Sequence, residues 1–215
     1  MKQRIVWQGI MLDLLAQRVL YIPQHQMLVI SDWHLGKLGH FRQEGIFVPP
    51  MQIQDELERL GQIIETESIQ KVVFLGDLFH SSWNLEWDDF VVYLRQFSEI
   101  DFILTKGNHD LLSDTILKQS PLRVLDYLQL DDAIVLSHEP IPGIRSTILN
   151  IVGHIHPGVR INARGRQQFR LPCFYLNSNV LTLPAFGRWT GLYMVQKTAD
   201  NRLFPIVGDD VIELF

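Results

Sequence analysis

Five short apolar runs in this chain each stop on side chains that offer lone pairs. VISDWH (29–34) ends on Asp32 and His34, and FLGDLFH (74–80) passes through Asp77 to His80. ILTKGNHD (103–110) ends on Asn108, His109 and Asp110, IVLSHEP (134–140) carries His138, and NIVGHIH (150–156) carries His154 and His156. Carboxylate and amide oxygens are hard donors and imidazole is a borderline one, so the set suits manganese, iron or zinc and disfavours copper(I). A single histidine after a strand is ordinarily a hydrogen-bonded loop residue. Six of the eight histidines fall within these runs, and together they point to a metal centre. His25 reads as a turn residue, and His40 lies close after the first loop.

The elements that position these residues follow from the hydrophobic pattern. MLVI (27–30), KVVFL (71–75), DFIL (101–104), AIVL (133–136) and ILNIV (148–152) are rich in β-branched residues without alternation, as expected of strands buried on both faces. Segments 49–65 and 83–97 place apolar residues at helical steps, with Ile53, Leu57, Leu60 and Ile64 in the first. Strand and helix thus alternate as in a layered α/β protein, where loops beyond the strands' carboxyl ends carry the ligand groups. After His156 short strand-like pieces separated by Gly, Asn and Pro predict antiparallel sheet. No repeat or linker interrupts the 215 residues, so a single domain spanning 1–215 is expected.

A hydrophobic fraction of 47% supports a substantial core, and a net charge of -5 means that any contact with a polyanion is local. One cysteine, Cys173, excludes an intrachain disulfide and a thiolate zinc cage and suits a reducing cytoplasm; it reads as a packing residue. Polar residues break the apolar N-terminus well short of a membrane span, so early strands and a soluble, cytoplasmic protein without membrane contact are expected.

The ordered series D-W-H, G-D-L-F-H, G-N-H-D, S-H-E-P and G-H-I-H resembles the five-block signature of the calcineurin-like metallophosphoesterase superfamily. HLGK (34–37), Phe41-Arg42, GDLFHS (76–81), GHIHP, PCF (172–174) and LPAFGRWTG (183–191) add a resemblance to the bacterial ligase-associated DNA damage response endonucleases. The resemblance implies a four-layer α/β/β/α sandwich with a dinuclear metal site at the carboxyl ends of the strands. It also implies association with an ATP-dependent DNA ligase and a DEXH-box helicase, with DNA as the substrate. Carried over by motif, Asp32, His34, Asp77 and His156 surround one divalent ion and Asp77, Asn108, His138 and His154 the other, with Asp77 shared. Manganese is the favoured metal, with iron(II) or zinc as alternatives. The family chemistry is phosphodiester hydrolysis by a metal-bridging hydroxide, with His109 as the catalytic histidine and Asp110 orienting its ring.

Around this centre, His80, Lys37 and Arg42 are candidate substrate contacts. Arg160, Arg164, Arg166 and Arg170 read either as a solvated sheet edge or as a strip that follows phosphates, with Phe186 or Trp189 available to stack on a base. Gly76, Gly107 and Gly153 precede ligands and are expected to permit tight turns. Two other functions fit the same residues: a phosphodiesterase or pyrophosphatase on a small nucleotide, and a metal-stabilised non-catalytic subunit of a ligase and helicase assembly.

Overall fold

Strand β4 (Met27–Ser31) is buried at every position, and β5 (Lys71–Leu75) and β6 (Asp101–Thr105) are buried beyond their first residue. Strands of this kind are stable only inside a sheet covered on both faces. The structure, a computed structural model, describes residues 2–37, 52–79, 86–108, 110, 114–162, 165 and 167–215. In it β4, β5, β6 and β7 (Leu122–Leu125) pair in parallel. The apolar N-terminus forms β1 (Gln3–Trp7), β2 (Ile10–Leu15) and β3 (Val19–Ile22), which extend the sheet from β4 by antiparallel pairing.

Helix α1 (Gln52–Thr66) buries Leu57, Leu60, Ile63 and Ile64 and exposes Glu58, Gln62 and Glu65, so one apolar stripe faces the sheet. Helix α2 (Glu86–Leu94) adds Trp87, Phe90, Val91 and Leu94, and the short α3 (Asp114–Lys118) adds Leu117. With Leu28, Ile30, Val72, Phe74 and Leu104 these form one core on this face of the sheet.

The second sheet is built from β8 (Leu128–Leu130), β9 (Ile134–Leu136), β10 (Leu149–Val152), β11 (Pro157–Asn162), β12 (Gln168–Asn177), β13 (Val180–Thr182) and β14 (Tyr193–Met194). Strand β15 (Asn201–Val207) pairs with β12 and with β16 (Asp210–Val211). The antiparallel expectation holds where the chain turns back on itself, at β11–β12, β12–β13, β12–β15 and β15–β16. It fails at β10–β13 and β11–β14, which are parallel because those partners are distant in sequence and reach each other by crossovers.

A second core lies between the sheets, joining Leu12, Val29, Val73 and Ile103 to Leu136, Ile151, Phe174 and Leu181. Each such side chain contributes about 1.5–3 kcal/mol by leaving water. These two packed sheets with helices over the first are the calcineurin-like arrangement. On the outer face of the second sheet, where the resemblance implies another helical layer, the described residues place a small cluster of Val159, Cys173, Val195 and Leu203. Burial pushes the Cys173 thiol up to about 12, consistent with packing. Among the described residues no helix is long and apolar enough to cross a membrane.

Candidate metal centre

The loops that follow β4 and β5 are stitched together by their backbones. Asp32 N–H donates to Gly76 O at 3.3 Å, His34 N–H to Asp77 O at 2.9 Å and Leu35 N–H to Leu78 O at 2.8 Å. From the other sheet, His154 N–H reaches both Asp32 carboxylate oxygens at 3.1 and 3.0 Å. The parallel strands of the two sheets therefore deliver their carboxyl ends to one place.

The backbone there is strained. Asp32, His34, Asp77, His154 and His156 all have left-handed φ between 46 and 75°. Each such position costs an L-residue about 1–2 kcal/mol, so tertiary structure must hold them in place. Concentration of that cost on five expected ligands is what a preorganised site requires.

Two groups of acceptors result: Asp32, His34 and His156, and Asp77, His138 and His154. In the first, His34 Nε2 lies 3.2 Å from His156 Nε2, which lies 3.3 Å from Asp32 Oδ1. In the second, His138 Nε2 lies 3.1 Å from His154 Nδ1, 3.0 Å from Asn108 Oδ1 and 3.4 Å from Asp77 Oδ1. His138 Nδ1 is 2.9 Å from Leu75 O, which only accepts, so the ring proton sits on Nδ1 and Nε2 presents its lone pair. Lone pairs from nitrogen, amide and carboxylate then converge on one point, an arrangement that a cation resolves. Asp77 stands between the groups, with Oδ1 toward His138 and Oδ2 4.0 Å from His34 Nε2. Burial opposes ionisation of Asp32, but the hydrogen bond with His156 leads the interactions that outweigh it and hold the carboxyl below its ordinary range. Asp32, His34, Asp77 and His138 are buried while Asn108 and His154 are exposed, so the centre opens on the Asn108–His154 side.

Asp110 ties two of these loops. Its Oδ1 accepts from Leu78 N–H at 2.8 Å and Phe79 N–H at 3.1 Å, and its Oδ2 from Gly107 N–H at 2.9 Å. Burial raises its pKa, against the pull of those N–H groups. The ring it is expected to orient, His109, lies outside the described residues, as do His80, Arg42, Arg164, Arg166 and His40.

The glycines do more than turn the chain. A Cβ on Gly107 would lie 2.4 Å from Asp77 Oδ1, and one on Gly153 would lie 2.4 Å from Asp32 Oδ2 and 2.7 Å from Ser31 Cβ. Both positions keep φ in ordinary territory, so the requirement is room: for the Asp32 carboxylate at Gly153, and at Gly107 for the Asp77 backbone nitrogen, 2.3 Å from such a Cβ, as well as for its carboxylate. Gly153→Ala is expected to displace Asp32 and weaken metal affinity by about 10–100-fold, the range for loss of support to a ligand. Metal titration of the folded variant checks this, and unchanged affinity would show that the loop gives way freely.

Other supports carried no sequence signal that marked them out. Trp33, between two expected ligands, is buried against Phe74, Phe90 and Phe186, and its indole N–H donates to Glu56 Oε2 at 2.7 Å. Phe186 N–H donates to Ser31 O and Gly187 N–H to Asp32 O, so the 185–188 segment braces the first ligand loop. Phe186 is fully buried beneath Trp33 and is not available to stack on a base, which corrects that expectation; Trp189 is 47% exposed and remains available. Trp189 and Lys37 line a groove beside His34. Arg160 and Arg170 are exposed and directly opposed across β11–β12. His25 ends a 3-10 turn, as expected.

Among solved structures, a Pseudomonas putida nuclease, MPE, is 27% identical, with all of each chain covered and a TM-score of 0.82. The phosphoesterase Yfce from E. coli is 15% identical over 87% of this chain and 97% of its own, with a TM-score of 0.46. An archaeal phosphodiesterase is 16% identical over 87% and 98%, with a TM-score of 0.42. No curated protein sequence matches. Residues 25–181 match the calcineurin-like phosphoesterase family, whose members use a dinuclear divalent metal site. Since that span contains every strand end that supplies the two Asp/His groups, the chain belongs to the calcineurin-like phosphoesterase family and is a metal-dependent phosphoesterase.

Proposed function

We propose that this phosphoesterase is a two-metal phosphodiesterase that cleaves nucleic acid, a DNA endonuclease serving bacterial DNA repair. The observation that carries the reading is the correspondence with the Pseudomonas nuclease over the whole of both chains. Asp32, His34, Asp77 and His156 would hold one ion and Asp77, Asn108, His138 and His154 the other, with Asp77 offering one oxygen to each. When bound, the ions supply an activated water at neutral pH and neutralise charge on the phosphoryl oxygens. The imidazole-rich donor set favours manganese over magnesium, which prefers carboxylate and water.

The protein's own groups do the rest. Leu75 O fixes the His138 tautomer, and Asp110 fixes the loops on which Asp77 and Asn108 ride. A strand enters from the side on which Asn108 and His154 are exposed, and His109, on sequence grounds, gives a proton to the departing oxygen. Lys37, whose pKa burial lowers, lies beside His34 with Trp189. Arg160 and Arg170, two like charges placed opposite each other, gain from a phosphate between them. His80, Arg42, Arg164 and Arg166 complete the substrate contacts on sequence grounds. Association with a ligase and a helicase is implied by the sequence resemblance alone.

The test is hydrolysis of an aryl diester, an aryl monoester, a cyclic nucleotide and single-stranded DNA side by side, with manganese or magnesium. Diester and DNA are expected to be cleaved in preference to monoester, and manganese to support the higher rate. Preference for the monoester would make the protein a phosphatase. Turnover of the cyclic nucleotide without cleavage of DNA would move the substrate to small nucleotides. Turnover abolished by a chelator and restored by manganese argues against a non-catalytic subunit.

A further inference from the structure

Three arginines outside the metal centre converge on one cavity. It measures about 370 Å³ and is lined by Arg18 from the β2–β3 turn, Arg59 from α1 and Arg188 from the segment after β13. Among the described residues one carboxylate, that of the exposed Asp209, also lines it. Glu56 lies behind, but its oxygens already accept from the Trp33 indole at 2.7 Å and from Arg188 N–H at 3.1 Å.

Hydrogen bonds within the protein use only part of what these guanidiniums offer. Arg59 Nη2 donates to Phe186 O at 2.6 Å and the guanidinium lies 3.7 Å over the Phe186 ring, while its buried Nε has no hydrogen-bond partner among the described residues. Arg18 Nη1 reaches Ala185 O and Gly187 O at 3.4 Å each. A guanidinium has five N–H donors in a planar fork that matches phosphate oxygens. Burial pushes Arg59 down to about 10, aided by Arg188 and Arg18 against the pull of Glu56, and burial with Arg188 also lowers Arg18. A multi-oxygen anion would relieve the mutual repulsion and pair with guanidinium N–H groups that the protein's own carbonyls leave over.

Arg188 links this cavity to the metal centre, because it also lines the groove that contains His34, Lys37 and Trp189. We propose that the Arg18–Arg59–Arg188 cavity is a phosphate-binding subsite, filled by a phosphate of the strand whose scissile bond lies at the metals. The inference rests on the nucleic-acid reading for the source of that phosphate. The chemistry is equally that of free phosphate, and the test separates the two sources. A purely structural role is the competing account, since Arg18 and Arg59 also hold the carbonyls of 185–187.

Arg188→Ala is the informative variant, because its bond to Glu56 is made by the backbone and survives substitution; Arg18→Ala is the second. In the metal-loaded full chain, the log–log salt slope for binding a single-stranded oligonucleotide is expected to flatten by about 0.7 in each variant. KM for the oligonucleotide should rise several-fold in both variants, while turnover of a small aryl diester stays unchanged in Arg188→Ala, whose side chain bonds none of the carbonyls that brace the ligand loop. Millimolar inorganic phosphate raising the melting temperature of wild type more than that of Arg188→Ala would support the subsite with free phosphate as its source. Slopes and phosphate responses identical to wild type would overturn the subsite, as would lost diester turnover with an unchanged slope. If the wild type itself binds no strand, the nucleic-acid reading fails, and the phosphate response alone decides for or against the subsite.

Discussion

Asp77→Asn is expected to lower diester turnover by about 10³-fold, equivalent to about 4 kcal/mol, and to weaken binding of both metal equivalents. The two carboxylate oxygens of Asp77 face different groups, Oδ1 at 3.4 Å from His138 Nε2 and Oδ2 at 4.0 Å from His34 Nε2. Two dications about 3.5–4 Å apart repel strongly unless negative charge lies between them. Asparagine keeps the shape and one acceptor oxygen but removes that charge and turns an NH₂ toward one ion, so both sites suffer from one substitution. Loss of a terminal group, as in His154→Ala or His156→Ala, leaves the shared charge in place and should affect mainly its own ion. Elemental analysis at saturating manganese with diester kinetics on all three variants tests this. One equivalent bound in wild type, or an Asp77→Asn deficit no larger than that of His154→Ala, would remove the shared role.

The strands were legible because burial on both faces leaves an unmistakable run of β-branched residues, as in β4 and β5. The acceptors were legible because each follows such a run within a few residues, and a parallel sheet offers one end at which they can meet. What could not be read is which loop touches which across the sheets. Asp110 reads as a partner for the histidine beside it, and what the sequence does not show is that its oxygens also accept from N–H groups of Leu78 and Phe79, some thirty residues earlier, and of Gly107. Gly153 looked like a turn glycine, and only the approach of Asp32 from the other sheet shows why a side chain is excluded. Phe186, which reads as available to stack on a base, is buried because Trp33 and the Arg59 guanidinium close over it. Each of these facts depends on a contact between residues far apart in the chain, for which hydrophobic periodicity carries no record.

His109→Ala is expected to retain both metals and to lose about 10²–10⁴-fold in turnover, the usual range for removal of a general acid. Its chain neighbours explain why the ligand set should survive. Asn108 Oδ1 is held 3.0 Å from His138 Nε2, and the Asp110 carboxylate is anchored by three backbone N–H groups, so both flanks of position 109 are fixed by contacts that the substitution leaves alone. The size of the loss should depend on the leaving group. A nitrophenolate departs without a proton, whereas the deoxyribose alkoxide of a nucleic-acid strand needs one, so the deficit should be small on an aryl diester and large on DNA. Kinetics of wild type and variant on both substrates, with metal content measured in parallel, give the comparison. An equal deficit on the two substrates would assign His109 to charge stabilisation on the phosphoryl oxygens, because that contribution is needed whichever oxygen leaves. Loss of a metal equivalent would instead make it a support of the ligand set, and the proton for the leaving strand would have to come from another group on the open Asn108–His154 side.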